Sequence, residues 1–207
     1  MRTPHVVGRL VAVLFVAVLL VLGLAPAAVA QALSPDAEAR RAIVMEERAK
    51  TLDELFAELA RTRSPADARL IEGRIWSEWM RSGSATVDLM MAWAARSAGS
   101  DSQGVALDYL DQIILMVPDY AEAWNRRATL HFLRGDYDLS IRDIEETLAR
   151  EPRHFGALAG LGQILVRQDR PQLARDAFAR VLAVYPANRN VQEALAQLEE
   201  VLEGEPL

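Results

Sequence analysis

The sequence predicts an all-α protein, a stack of antiparallel helix pairs closed by a C-terminal capping helix. Three observations predict it. Pro118, Pro152 and Pro186 recur 34 residues apart. Small residues repeat at the same period (Ala94, Ala128, Gly162; Ala106, Ser140, Ala174), and so do large apolar ones (Leu110, Ile144, Phe178; Ile114, Leu148, Leu182). Cap residues and breakers then divide each period into two helix-length segments.

The columns have a physical meaning. Small residues let helix axes approach, and large ones fill the remaining gaps as knobs. Gly135 can take the positive φ that ends a first helix. A proline lacks the N–H a helix needs and disfavours helix at the preceding residue, so it ends the second helix. Trp124 is expected in the core, where truncation to alanine costs about 3–5 kcal/mol.

In chain order, residues 1–30 read as a secretory signal. Arg2 and Arg9 precede an apolar run from Leu10 to Leu24, and Ala28-Val29-Ala30 offers a small-x-small cleavage site before Gln31. The other reading is an uncleaved anchor, because Leu10 to Ala30 is long enough to span a bilayer. Residues 31–50 form a helical extension opened by Ser34-Pro35. Thr51 with Glu54 reads as a capping box that starts a new helix, and Ser64-Pro65 starts its mate, giving a degenerate pair over 51–84. Regular pairs follow at roughly 86–98 and 102–117, 120–133 and 137–150, and 155–168 and 172–184. Asn190 with Glu193 reads as the capping box of a last helix in 188–207, whose stripe is Val191, Ala194, Leu195, Leu198 and Leu202. Gln192, Glu199 and Glu200 face away from that stripe, as the end of a stack requires.

Trp124, Ala128, Gly135, Tyr137, Ser140, Ile144 and Pro152, at these offsets, resemble the tetratricopeptide repeat family. The match spans three units, 87–118, 121–152 and 155–186. The first carries Trp93, Ala94, Ala106, Leu110 and Pro118 without the Gly-x-Tyr turn; the third carries Leu158, Leu161, Gly162, Ala174, Phe178 and Pro186. The resemblance implies that the stack winds into a right-handed superhelix with a concave groove lined by first helices, and that Glu122, Asn125, Arg126, Thr129, Phe132, Ala159, Gln163, Val166 and Arg167 face a peptide or protein partner there. Arg126 and Arg167 offer planar donor forks for acidic or C-terminal carboxylates of a partner; the alternative is that both are solvated or pair with Asp or Glu of the chain itself. The family's carboxylate-clamp pattern is missing, since Met91, Ala95, Gly156 and Gly160 stand at its positions.

Other chemistry is largely excluded. The chain has no cysteine, so no disulfide, thiolate nucleophile or Cys-ligated metal. A net charge of -6 repels phosphate backbones and argues against nucleic acid. His131 and His154 lie in no His-Glu-x-x-His motif, and the run from Asp136 lacks the glycine and glutamate of a calcium loop. Gly156, Gly160 and Gly162 miss the dinucleotide spacing and are expected at close helix contacts. Trp76, Trp79 and Met80 are expected in the core. Neither metal nor cofactor is implied, and no residue is assigned a catalytic role.

The expectation is a non-catalytic scaffold or assembly factor. The signal, with Ala- and Arg-rich, Lys-poor composition, places it in a bacterial periplasm, similar to small exported tetratricopeptide proteins. One alternative is an inner-membrane-tethered module of an envelope complex, touching the membrane only through an uncleaved N-terminus. Another is a hydrolase using groove carboxylates.

Overall fold

A computed structural model describes residues 35–99 and 102–204. Among the described residues there are nine helices and no strand: α1 (Pro35–Arg61), α2 (Pro65–Trp79), α3 (Ala85–Ser97), α4 (Gln103–Met116), α5 (Ala121–Arg134), α6 (Tyr137–Arg150), α7 (Phe155–Arg167), α8 (Pro171–Val184) and α9 (Arg189–Gly204). The expected signal or anchor lies outside the described residues, and among those described no helix is long and apolar enough to cross a membrane. Contacts divide the chain into residues 1–47 and 48–207. Of the first unit the described part is the opening of α1, where Ile43 and Val44 are exposed.

Within the second unit the repeat is visible in backbone angles. The residues before the three prolines share one conformation: Val117 (φ −139°, ψ 74°), Glu151 (−135°, 89°) and Tyr185 (−133°, 72°). In each turn the amide two residues past the proline donates back to that residue's carbonyl, at 3.0 Å for Tyr120 and His154 and 3.2 Å for Asn188. The first helices also end alike. Gly135 takes φ +79° after α5, and Asp169, one period later, takes φ +56° after α7. Both ends close with a Schellman-type bond, Asp136 N–H to His131 O and Arg170 N–H to Leu165 O, each 2.9 Å.

The small columns sit where helices touch. Ala94, Ala106, Ala128, Gly162, Ala174 and Phe178 are buried, Trp124, Tyr137 and Pro186 half-buried, and Gly135, Pro118 and Pro152 exposed. A Cβ on Gly162 would run into the Phe178 ring, and one on Gly156 would meet Trp76 Cη2 at 2.9 Å. Ser140, buried in the second small column, donates to the Ala128 carbonyl at 2.8 Å.

Three expectations are corrected. Thr51 does not start a helix. The run from Pro35 to Arg61 contains neither Pro nor Gly after its first residue, so nothing interrupts α1 and the 50/51 boundary disappears. Asn190 does not cap α9. Asn188 does, its Oδ1 accepting from Val191 N–H at 3.2 Å, because it occupies the same turn position as His154, whose Nδ1 accepts from Ala157 N–H at 3.1 Å. Trp124 is not fully buried: it packs half-exposed on the edge of the core, with the guanidinium groups of Arg127 (4.9 Å) and Arg150 (4.8 Å) over its ring and its Nε1–H donating to Pro118 O at 2.9 Å.

The core falls into three clusters. Val87, Met91, Leu110, Ile113 and Tyr120 join α3 and α4 to α5. Ala128, Ile144, Ala157 and Ile164 join α5, α6 and α7. The third departs from a simple stack. Leu55, Phe56, Leu59, Ile75 and Trp79 of α1 and α2 share one cluster with Phe155, Leu158, Phe178, Val181 and Tyr185. The N-terminal hairpin therefore packs its apolar face on the third pair, far along the sequence, whereas α3 and α4 build their own cluster with α5.

Candidate functional site

The expected groove residues divide into two groups. Glu122 and Asn125 are buried, with exposures of 1% and 8%, so the sequence expectation that they face a partner is corrected. Both lie in the first turns of α5, where Glu122 meets His154 of the turn before α7 and Asn125 is bonded to Glu122. The Tyr120 hydroxyl donates to Met80 O at 3.0 Å, and the Arg126 guanidinium reaches Met80 Sδ at 3.2 Å. Trp79 stacks flat on His154, with centroids 4.0 Å apart and planes 8° apart. Trp76 stands edge-on to both His154 (5.4 Å) and Phe155 (5.6 Å). Further out, Arg153 bridges Asp53 (2.7 Å) and Glu151 (3.1 Å) and lies over the Phe56 ring.

Glu122 anchors this closure. Its Oε1 accepts from Arg126 Nε at 2.6 Å; its Oε2 accepts from Asn125 Nδ2 at 2.9 Å and faces His154 Nε2 at 3.2 Å. Because His154 Nδ1 accepts the Ala157 amide, the ring proton belongs on Nε2, aimed at Glu122. Burial alone would raise the Glu122 carboxyl; the hydrogen bond and field of His154, with Arg126 behind them, more than reverse this and hold it below the usual range. Arg126 is thus paired internally, one of the two roles its sequence position leaves open. The same burial pushes the Tyr120 phenol up.

The remaining residues lie in an open region. Thr129, Gln163, Val166 and Arg167 are exposed, and Phe132 and Ala159 are half-buried. Arg167 lies over the Phe132 ring at 5.3 Å. Gln163, Val166 and Arg167 continue into a groove of about 500 Å³ whose other wall is α9, through Ala194, Gln197, Leu198 and Val201, with Phe178 at its base. Gln197 and Val201 were not among the sequence candidates. The period holds their signal, since they fall 34 residues after Gln163 and Arg167.

A second cavity of about 540 Å³ opens between α4, α5 and α6 and is lined by Leu107, Asp111, Trp124, Arg127, His131 and Asp143, among others. Its charges are largely satisfied internally. Arg127 holds Asp143 with a fork (2.8 and 2.7 Å) and Asp111 with one bond (2.7 Å), which raises its pKa further. His131 is pushed down by burial, partly opposed by Asp143, 3.7 Å away. Among the described residues no three His, Asp or Glu side chains converge to hold a metal ion.

The comparisons with known proteins match this fold. The family model described as tetratricopeptide repeat matches residues 89–143 and 130–189. A TPR repeat-containing protein of Rhizobium etli is 44% identical over 176 residues, covering 82% of this chain and 86% of that protein. This chain belongs to the tetratricopeptide repeat family. It is also similar to the small glutamine-rich tetratricopeptide repeat-containing protein 2 of Saccharomyces cerevisiae, at 25% identity over 142 residues, 66% of this chain and 41% of the yeast protein. The first TPR of Spaghetti (RPAP3), solved bound to the HSP90 peptide SRMEEVD, superposes with a TM-score of 0.54 at 15% identity, covering 57% of this chain and 94% of that one. That likeness shows the fold. Tetratricopeptide repeats are typically non-catalytic protein-interaction modules, and an interaction scaffold is the coarse function of this chain.

Proposed function

We propose that this tetratricopeptide protein is a non-catalytic scaffold or assembly factor of the bacterial periplasm, and that it holds a peptide or helix of a partner protein in the α7–α9 half of its groove. One observation carries the reading. The first turns of α5 and α7 are closed by the chain's own hairpin, while the groove bounded by Val166, Phe178 and Val201 is open, apolar and rimmed by Arg167. Apolar anchors beside a guanidinium suit a segment with one or two large apolar side chains and a neighbouring carboxylate. The internal neutralisation of Glu122 and Asp143 supports binding over carboxylate hydrolysis. Site-specific photo-crosslinking tests this. A crosslinker at Val166 or Gln163 captures the partner in cells, one at Asn125 does not, and Arg167→Glu weakens capture. Equal capture from all three positions contradicts it.

The periplasmic part rests on the Arg2–Ala30 signal pattern. The apolar run from Leu10 to Ala30 supports a second reading, a tethered module of an envelope complex. The intact mass of the protein separates them: a chain beginning at Gln31 supports release, and one retaining residues 1–30 supports the tether.

A further inference from the structure

The repeat allows each stacking position to be compared with its own equivalents. Leu89, Ala123, Ala157 and Val191 occupy one column of the first helices. The last three are buried against the preceding second helix, at 0%, 1% and 5% exposure, whereas Leu89 is 48% exposed. Trp93, 36% exposed, stands in the column of Arg127, Leu161 and Leu195 and contacts Tyr109 of α4 ring to ring at 5.6 Å. Among the described residues, the series α5 on α4, α7 on α6 and α9 on α8 thus begins with an α3 that leaves Leu89 and Trp93 exposed in the corresponding place. At that uncovered end the column carries Leu, where α5 and α7 carry Ala.

We infer that this face of α3 and α4 pairs with the same face of a second copy of the chain. Three features select that occupant. The face continues a stacking interface the chain already uses three times. Head-to-tail stacking is disfavoured because the outer side of α9 presents Glu193, Glu199, Glu200 and Glu203 to solvent, and burying those against Leu89 and Trp93 would desolvate unpaired carboxylates. A two-fold axis at Ala92, by contrast, makes α3 self-complementary: exposed Arg96 of each copy comes opposite Asp88 of the other, with Leu89 and Trp93 between. Ser82 donates to Asp88 Oδ1, which leaves Oδ2 to accept.

Sedimentation velocity on the natural chain purified from its cells, from about 1 to 100 µM, tests the pairing. The expected species is a dimer. Leu89→Glu and Trp93→Glu each convert it to monomer with unchanged helical dichroism, since both side chains are already exposed. Arg96→Asp, at an exposed position, weakens the dimer about tenfold or more. A monomer at every concentration overturns the inference, as do an open-ended polymer and a dimer indifferent to Leu89→Glu.

Discussion

His154 Nε2 sits 3.2 Å from Glu122 Oε2, with both side chains wholly screened from solvent. Glu122 belongs to the 121–152 unit and His154 to the turn that opens the next, and Trp79 stacks on His154, so this contact ties the N-terminal hairpin to both units. Glu122→Leu strands Arg126, Asn125 and His154 without their acceptor and should cost about 3–5 kcal/mol, measured by urea unfolding. The pH dependence has a definite sign. A carboxyl held below its ordinary value of 4.5 adds stability that is fully present above that pH and is lost as pH falls through the lower folded value. Glu122→Gln should therefore flatten the stability profile below pH 4.5 relative to wild type.

Two glycines on α7 should respond oppositely to alanine. Gly162→Ala drives a methyl into the Phe178 ring and should cost about 1–3 kcal/mol. At Gly160 the added Cβ meets only Ile144 Cδ1, at 3.7 Å, so Gly160→Ala should stabilise by about 0.5–1 kcal/mol through helix propensity. Thermal melts of the two variants distinguish close packing from a general need for flexibility.

Asp169 ends α7 at φ +56°, in the turn position where the preceding repeat uses Gly135. A left-handed residue with a Cβ is strained, so Asp169→Gly should raise stability by about 0.5–1 kcal/mol. Gly135→Ala should do the reverse. Denaturant midpoints of both variants at constant m-value check this.

Trp124 is half-buried at the edge of the core with two guanidinium groups over its ring, and its truncation should cost less than a fully buried aromatic does. About 1–3 kcal/mol is expected for Trp124→Ala, from lost cation–π contact and the bond to Pro118. Chemical unfolding that shows a loss above that range would return Trp124 to the core.

The repeat could be read from the sequence because it is local: Val117, Glu151 and Tyr185 share their backbone angles owing to the proline after each. Gly135 and the small columns were legible for the same reason. The docking of α1 and α2 was not. Phe56 against Phe155 and Trp79 against His154 are contacts of long sequence separation with no period to announce them. Hence Glu122 and Asn125 looked open in sequence although both are buried, Glu122 against His154 under Trp79. Thr51 carried a real capping pattern, but the uninterrupted helix-forming run on either side outweighed it.

The account depends most on the hairpin occupying one half of the first-helix face. The chain has no cysteine, so single cysteines report exposure cleanly. Thiol labelling under native conditions should modify a cysteine at Val166 or Gln163 at nearly the rate of a free thiol, while one at Asn125 reacts only as fast as the hairpin opens. Equal rates at Asn125 and Val166 would contradict the closure and leave the whole groove open.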